Sequence, residues 1–88
     1  FINNYPNPIS DKTTFEFTVF QNSPVRLEVM DLLGNVVAVV INETMTAGNY
    51  QKEWNVKDIN NTNLQNGNYI YKLTAGNKTV TSKLTIMR

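Results

Sequence analysis

Polar and apolar residues alternate along most of this chain with a period of two, and that rhythm limits the fold more than any other feature. Phe15, Phe17 and Val19 are separated by Glu16 and Thr18, and Val25, Leu27 and Val29 by Arg26 and Glu28. Tyr50, Trp54 and Val56 share one face, interrupted by Lys52; Tyr69, Tyr71 and Leu73 share another, followed by Val80, Leu84 and Ile86. Successive side chains of a strand point to opposite faces, so each segment is built to bury one face. No helical stripe competes with this reading. Short strands separated by turn residues predict an all-β fold, an immunoglobulin-like antiparallel sandwich of about seven strands. One segment stands apart. Asn35 to Ile41 is almost wholly apolar and β-branched, as expected of a strand covered on both faces.

Turn chemistry sets two registers. In "MDLLGNVV" Asp31 takes the first position of a type I turn and Gly34 the position that needs positive φ. Facing Asp31 with Asn35 sets Val29 against Val37, Leu27 against Val39 and Val25 against Ile41. In "KLTAGNKTV" a two-residue Gly76-Asn77 turn sets Ala75 against Lys78, Leu73 against Val80, Tyr71 against Ser82 and Tyr69 against Leu84. That register places Lys72 and Lys83 on the solvent face. A tight hairpin through Gln21-Asn22-Ser23 would instead oppose Glu16 and Glu28, which is unfavourable. A connection crossing between two sheets avoids the clash. In "NLQNGNYIYKL" the Asn66-Gly67 turn before Tyr69 is similar to a tyrosine corner, and Trp54 is expected to anchor the core.

Eighty-eight residues make one domain, large enough for a core without metal or disulfide support. The chain holds no cysteine and no histidine, which removes thiol nucleophiles, Cys/His zinc sites and every triad with an imidazole base. No Asp-rich loop supplies calcium ligands. Glu16 and Glu28 are the best-placed carboxylates, but they sit on strand faces without convergent partners, so no catalytic role is expected. No cofactor is implied. No apolar run reaches the length of a membrane span, and membrane insertion is not expected. The chain opens on Phe1 rather than Met, so it reads as a piece of a longer protein.

The net charge of +1 does not point to nucleic acid. Its distribution is uneven: residues 1–51 hold two basic and five acidic residues, residues 52–88 six basic and two acidic. Beyond Asp58 only basic charges remain: Lys72, Lys78, Lys83 and Arg88. A basic rim that discourages edge-to-edge aggregation accounts for this bias. The aromatics Tyr5, Tyr50, Trp54, Tyr69 and Tyr71 could form a carbohydrate-stacking platform, but the registers send most of them into the core.

Two prolines flank one asparagine in Tyr5-Pro6-Asn7-Pro8, directly before the first long strand. Neither proline can donate to a ladder, and each pushes its preceding residue toward extended geometry. The segment is therefore expected to be a stiff, non-helical entry that blocks an edge.

Several features stand in a telling order. They are Tyr5-Pro6-Asn7-Pro8, Asp31-Leu32-Leu33-Gly34, Ala47-Gly48 leading to Trp54, Gly67-Asn68-Tyr69, and the terminal Lys83-Leu84-Thr85-Ile86-Met87-Arg88. Together they resemble the type A C-terminal sorting domain of the type IX (Por) secretion system of Bacteroidota-type bacteria. That family is related to the immunoglobulin-like domain of a flagellar hook-capping protein. The resemblance covers nearly the whole chain. It implies a non-catalytic sorting signal at the end of a larger secreted protein, with the cargo domain upstream. The implied partners are the type IX translocon and its outer-membrane shuttle and sortase-like components, and the implied destination is the cell surface or medium. Carried over by position, the signal residues are Pro6, Asn7, Pro8, Gly67, Lys83, Leu84, Ile86 and Arg88. Gly34, Trp54 and Tyr69 are structural. Thr85 and Met87 depart mildly from the family's pattern, many members having an aliphatic residue where Thr85 stands. The competing expectation is an accessory immunoglobulin-like module that binds carbohydrate or links domains.

Overall fold

The computed structural model describes residues 2–56 and 64–88, which form seven strands and, among the described residues, no helix. They are β1 (Ile2–Tyr5), β2 (Lys12–Val19), β3 (Ser23–Met30), β4 (Val36–Met45), β5 (Gly48–Asn55), β6 (Gly67–Ala75) and β7 (Lys78–Ile86). One sheet has the order β1-β2-β5 and the other β4-β3-β6-β7, every ladder being antiparallel. The chain crosses between sheets after β2, as the Glu16/Glu28 argument requires. Glu16 lies opposite Gln51, and Glu28 pairs with Arg26 at 2.8 Å.

The alternating residues fill the space between the sheets. Phe15, Phe17, Val19, Val25, Leu27, Val29, Leu73, Leu84 and Ile86 are all buried. Each such side chain contributes roughly 1.5–3 kcal/mol on leaving water. At the centre the Phe15 ring lies 5.1 Å from that of Tyr71, edge on, and 6.1 Å from that of Trp54. Trp54 is the expected anchor, reached from β5 on the three-stranded sheet. Phe17 stacks with Tyr50 at 5.7 Å.

The second predicted register holds at all four pairs, from Ala75↔Lys78 to Tyr69↔Leu84. The first holds at the turn, where Asp31 N–H donates to Asn35 O at 2.9 Å and Gly34 has φ +90°. The register still holds at Met30↔Val36, but beyond that pair Val29 faces Ala38, Leu27 faces Ile41 and Val25 faces Glu43. Two bulges on β4, at Val37 and Val40, account for the shift. Each adds one unpaired residue, so together they restore the inward parity and Ile41 is buried. Nor is β4 covered on both faces. It is an edge strand, with Val36 and Val39 about half exposed. The apolar run serves a bulged edge whose side chains turn with each irregularity.

One local device is used twice. Gly48-Asn49-Tyr50 opens β5 and Gly67-Asn68-Tyr69 opens β6. In each, the tyrosine hydroxyl donates to the backbone carbonyl four residues upstream, Thr46 for Tyr50 and Gln65 for Tyr69. In each, the asparagine Oδ1 accepts a threonine hydroxyl from the neighbouring strand at 2.8 Å, Thr18 on Asn49 and Thr85 on Asn68. The tyrosine corner expected at Tyr69 is present, and a second stands at Tyr50.

The Asp31 carboxylate organises the β3–β4 turn. It accepts the N–H groups of Leu33 and Asn35 at 2.9 Å and the Asn35 side-chain amide at 3.2 Å. The Asn35 N–H is the main reason that this carboxyl sits below its ordinary range. A group whose folded pKa is depressed stabilises the fold above its unfolded pKa, and that stabilisation fades as pH falls through the folded value. The urea midpoint should therefore drop below about pH 5 more steeply in the parent than in Asp31→Asn. Parallel slopes would show that the turn carboxylate does not contribute.

Candidate recognition site

The chain reaches this site by leaving one sheet for the other. β1 ends at Tyr5 on the edge of the three-stranded sheet, and Pro6-Asn7-Pro8 carries the backbone across to β7. Both X-Pro bonds, Tyr5-Pro6 and Asn7-Pro8, are cis. The Asn7 side chain then acts as a short piece of strand: its Oδ1 accepts the Thr85 N–H at 3.0 Å and its Nδ2 donates to Lys83 O at 3.5 Å. Ile9 continues the contact. Its N–H donates to Thr85 O at 2.7 Å, its carbonyl accepts the Met87 N–H at 2.8 Å, and it forms a parallel bridge with Ile86. The Ile9 side chain is fully buried. The segment from Pro6 to Ile9 is thus a strap over the outer edge of the final half of β7.

On the sequence evidence Pro6-Asn7-Pro8 is a stiff entry that blocks an edge. It does block one, but the means differ in two respects. The blocking groups are the Asn7 amide and the Ile9 backbone, not the prolines. The residues before it also pair, as β1, with β2 (Tyr5↔Thr14). Behind the strap, Thr13 Oγ1 donates to Pro6 O at 3.1 Å and accepts from Asn4 Nδ2 at 3.4 Å, both side chains being buried. Two polar residues at core positions are thereby satisfied.

The terminal motif divides by strand parity. Leu84 and Ile86 point inward and are each 1% exposed. Lys83 points outward and is exposed, while Thr85 is half-buried between Asn7 and Asn68. Arg88 is clasped by the turn before β6: Asn66 Oδ1 accepts its N–H at 3.0 Å and Asn66 Nδ2 donates to its carbonyl at 3.3 Å. Its guanidinium donates to Leu64 O. Gly67 lies opposite Ile86 with φ +153° and nothing within 4 Å of where a Cβ would stand, so backbone conformation rather than space accounts for the glycine. Pro6, Asn7, Pro8, Gly67, Lys83, Leu84, Ile86 and Arg88 therefore stand together, on the strap, on β7 and at the start of β6. Gly34 lies apart in the β3–β4 turn, Trp54 in the core, and Tyr69 beside the site. Sequence reasoning did not single out Ile9, and it named Asn66 and Asn68 only as turn and motif residues, not for the contacts they make here. An apolar residue one place past Pro8 and asparagines flanking Gly67 were the available signals.

The aromatic residues do not form a platform. Trp54 and Tyr71 are buried, Tyr50 and Tyr69 half-buried at their corners, and Tyr5 alone of the five is exposed. Its hydroxyl donates to Glu16 at 3.3 Å; partial shielding of that hydroxyl from water, with the Glu16 charge a smaller cause, raises its pKa.

Such an arrangement defines an immunoglobulin-like sandwich whose most distinctive surface is a strapped terminal strand rather than a pocket lined with chemistry. A model of the secretion system C-terminal sorting domain matches residues 3–87, and the chain belongs to that family, whose members are sorting signals for type IX secretion. Neither the curated proteins nor the solved structures contain a match.

Because Asn7 is exposed, Asn7→Ala should cost only about 1 kcal/mol, water replacing part of what is lost. Amide exchange at Thr85 should quicken while exchange at Tyr71 does not. Ile9→Ala, at a fully buried position, should cost about 2–5 kcal/mol in chemical denaturation. Equal, negligible losses from both would mean that the strap does not hold the sandwich closed.

Proposed function

We propose that this domain is the non-catalytic C-terminal signal of a larger secreted protein. In this reading it directs the cargo upstream of Phe1 through the type IX system, across the outer membrane, to the cell surface or the medium. Its partners are the translocon, the outer-membrane shuttle and a sortase-like component. Family membership supports the sorting role. The observation that carries the residue-level reading is the convergence of the early Pro6-Asn7-Pro8 motif, Gly67 and the terminal motif on one strapped strand.

Within this reading, burial suggests which residues of the motif act as scaffold. Leu84 and Ile86 are core residues, so their loss acts through folding. Arg88 serves partly as scaffold, through Asn66 and Leu64. Lys83 is the terminal-motif side chain that faces solvent with its charge available. It is the residue a charge-reading partner would meet.

The test is a secretion assay. Residues 1–88 are fused to the C-terminus of a periplasm-directed fluorescent protein in hosts with and without a working type IX system. Three forms are compared: intact, Lys83→Glu, and truncated before Lys83. Circular dichroism checks each for folding. Surface or medium fluorescence is expected only for the intact fusion in the competent host, with Lys83→Glu folded but exported poorly. Normal export of Lys83→Glu would overturn the charge-read signal. Periplasmic trapping of the intact, folded fusion would overturn the sorting role and direct attention to glycan binding.

A further inference from the structure

The strap covers only part of β7. In an antiparallel strand alternate residues turn both backbone polar groups toward the same side. Thr85 uses both of its groups on Ile9 and Asn7, the Met87 N–H is used on Ile9, and the Lys83 carbonyl is met by Asn7. By the same alternation Thr79 and Thr81 face the outer edge, where the described residues place no strand against them. The strand therefore has a closed half and an open half. The open half is rich in β-branched residues, Thr79-Val80-Thr81, and so suited to an added strand.

Two further features mark this open half. Beside it lies a small cavity of about 70 Å³ whose lining includes Phe20, Leu73, Ala75 and Val80. Phe20 is 68% exposed at its rim, with the Lys78 ammonium 5.3 Å from the centre of its ring. Charge is the second feature. Lys78 stands at the cavity side of the edge, while Lys83 and Lys72 stand on the outer face of the sheet. Among the described residues no carboxylate lies within salt-bridge distance of any of the three. An edge protected only against aggregation needs lysines but no apolar cavity beside it.

We propose that the open half of β7, from Thr79 to Lys83, is a docking edge for an acidic extended segment of a partner protein, which joins the four-stranded sheet as a fifth strand beside β7. Main-chain bonds to Thr79 and Thr81 supply the register. An apolar side chain of the incoming strand enters the cavity beside Phe20, and the carboxylates on its opposite face meet Lys83, within the wider positive field that Lys78 and Lys72 add to. The assignment of the partner to the export machinery rests on the sorting role proposed above; the edge itself does not. Because the strap ends where the open half begins, the incoming strand need not displace it.

The probe is a fluorescein-labelled peptide of about eight residues alternating glutamate and valine, with a lysine–valine peptide as control. The acidic peptide should bind the domain, weaken with salt, and slow amide exchange at Thr79 and Thr81. Thr81→Pro removes an outward N–H without breaking the β6–β7 ladder, and should weaken binding at least about tenfold. The double variant Lys78→Glu, Lys83→Glu should do the same if the proline variant does not fold. Equal binding of both peptides, protection at β4 or β5 instead, or unchanged affinity in the folded variants would each overturn the proposal. So would a concentration-dependent dimer protecting Thr79 and Thr81, which would assign the edge to a second copy of this chain. In the secretion assay folded Thr81→Pro should be exported poorly. Peptide binding without export of the intact fusion would sink the sorting role and spare the edge, whereas export without peptide binding would do the reverse.

Discussion

The closure of this sandwich depends on a few hydrogen bonds between the strap and β7. β1 belongs to one sheet and β7 to the other, and the strap is what ties those two margins together. Ile9 does most to hold it, with both backbone groups bonded and its side chain fully buried. The Asn7 amide extends the contact by satisfying Thr85 and Lys83 from a side chain, so no proline N–H is missed. An Asn between two prolines thus supplies donor and acceptor where the flanking residues can offer no donor.

This arrangement changes what the terminal motif can be. A strand whose outer edge is already paired cannot be read there by simple strand addition. Recognition of Lys83 to Arg88 must use side chains, or must follow release of the strap. Leu84 and Ile86 hold the two sheets together, and Arg88 is anchored to the turn before β6. Residues held by the fold and the residue proposed above to be read, Lys83, therefore stand within the same six positions. A substitution there has meaning only beside a measurement of folding.

How much of this was legible depends on how strongly local chemistry limits alternatives. The β6–β7 hairpin could be read pair by pair, because a two-residue Gly76-Asn77 turn allows one register and the flanking pattern is strictly alternating. The β3–β4 hairpin could be read only to Val36. Within Val36–Ile41 every residue is apolar, so a shift of register breaks no visible pattern and the bulges at Val37 and Val40 leave no trace in composition. The crossing of Pro6-Asn7-Pro8 between sheets was not legible either, since its partners lie more than seventy residues away. The repeated Gly-Asn-Tyr was in plain view. Only its second copy was recognised as a corner, although the first carries the same tyrosine and asparagine bonds. At the candidate site the residue types were legible and their meeting place was not.

The strap also bears on the order in which the molecule comes into being. Ile9 is among the first residues of this sequence to be synthesised, and its partners Thr85 and Met87 are among the last. Ties between such distant positions form late, because the intervening chain must first be brought together. A chain that stopped short of Lys83 would leave Ile9 and Asn7 without partners and the two sheets unlinked along that margin. The sandwich is in this sense a test of completeness: its seam closes only on a product translated through to the end of the motif.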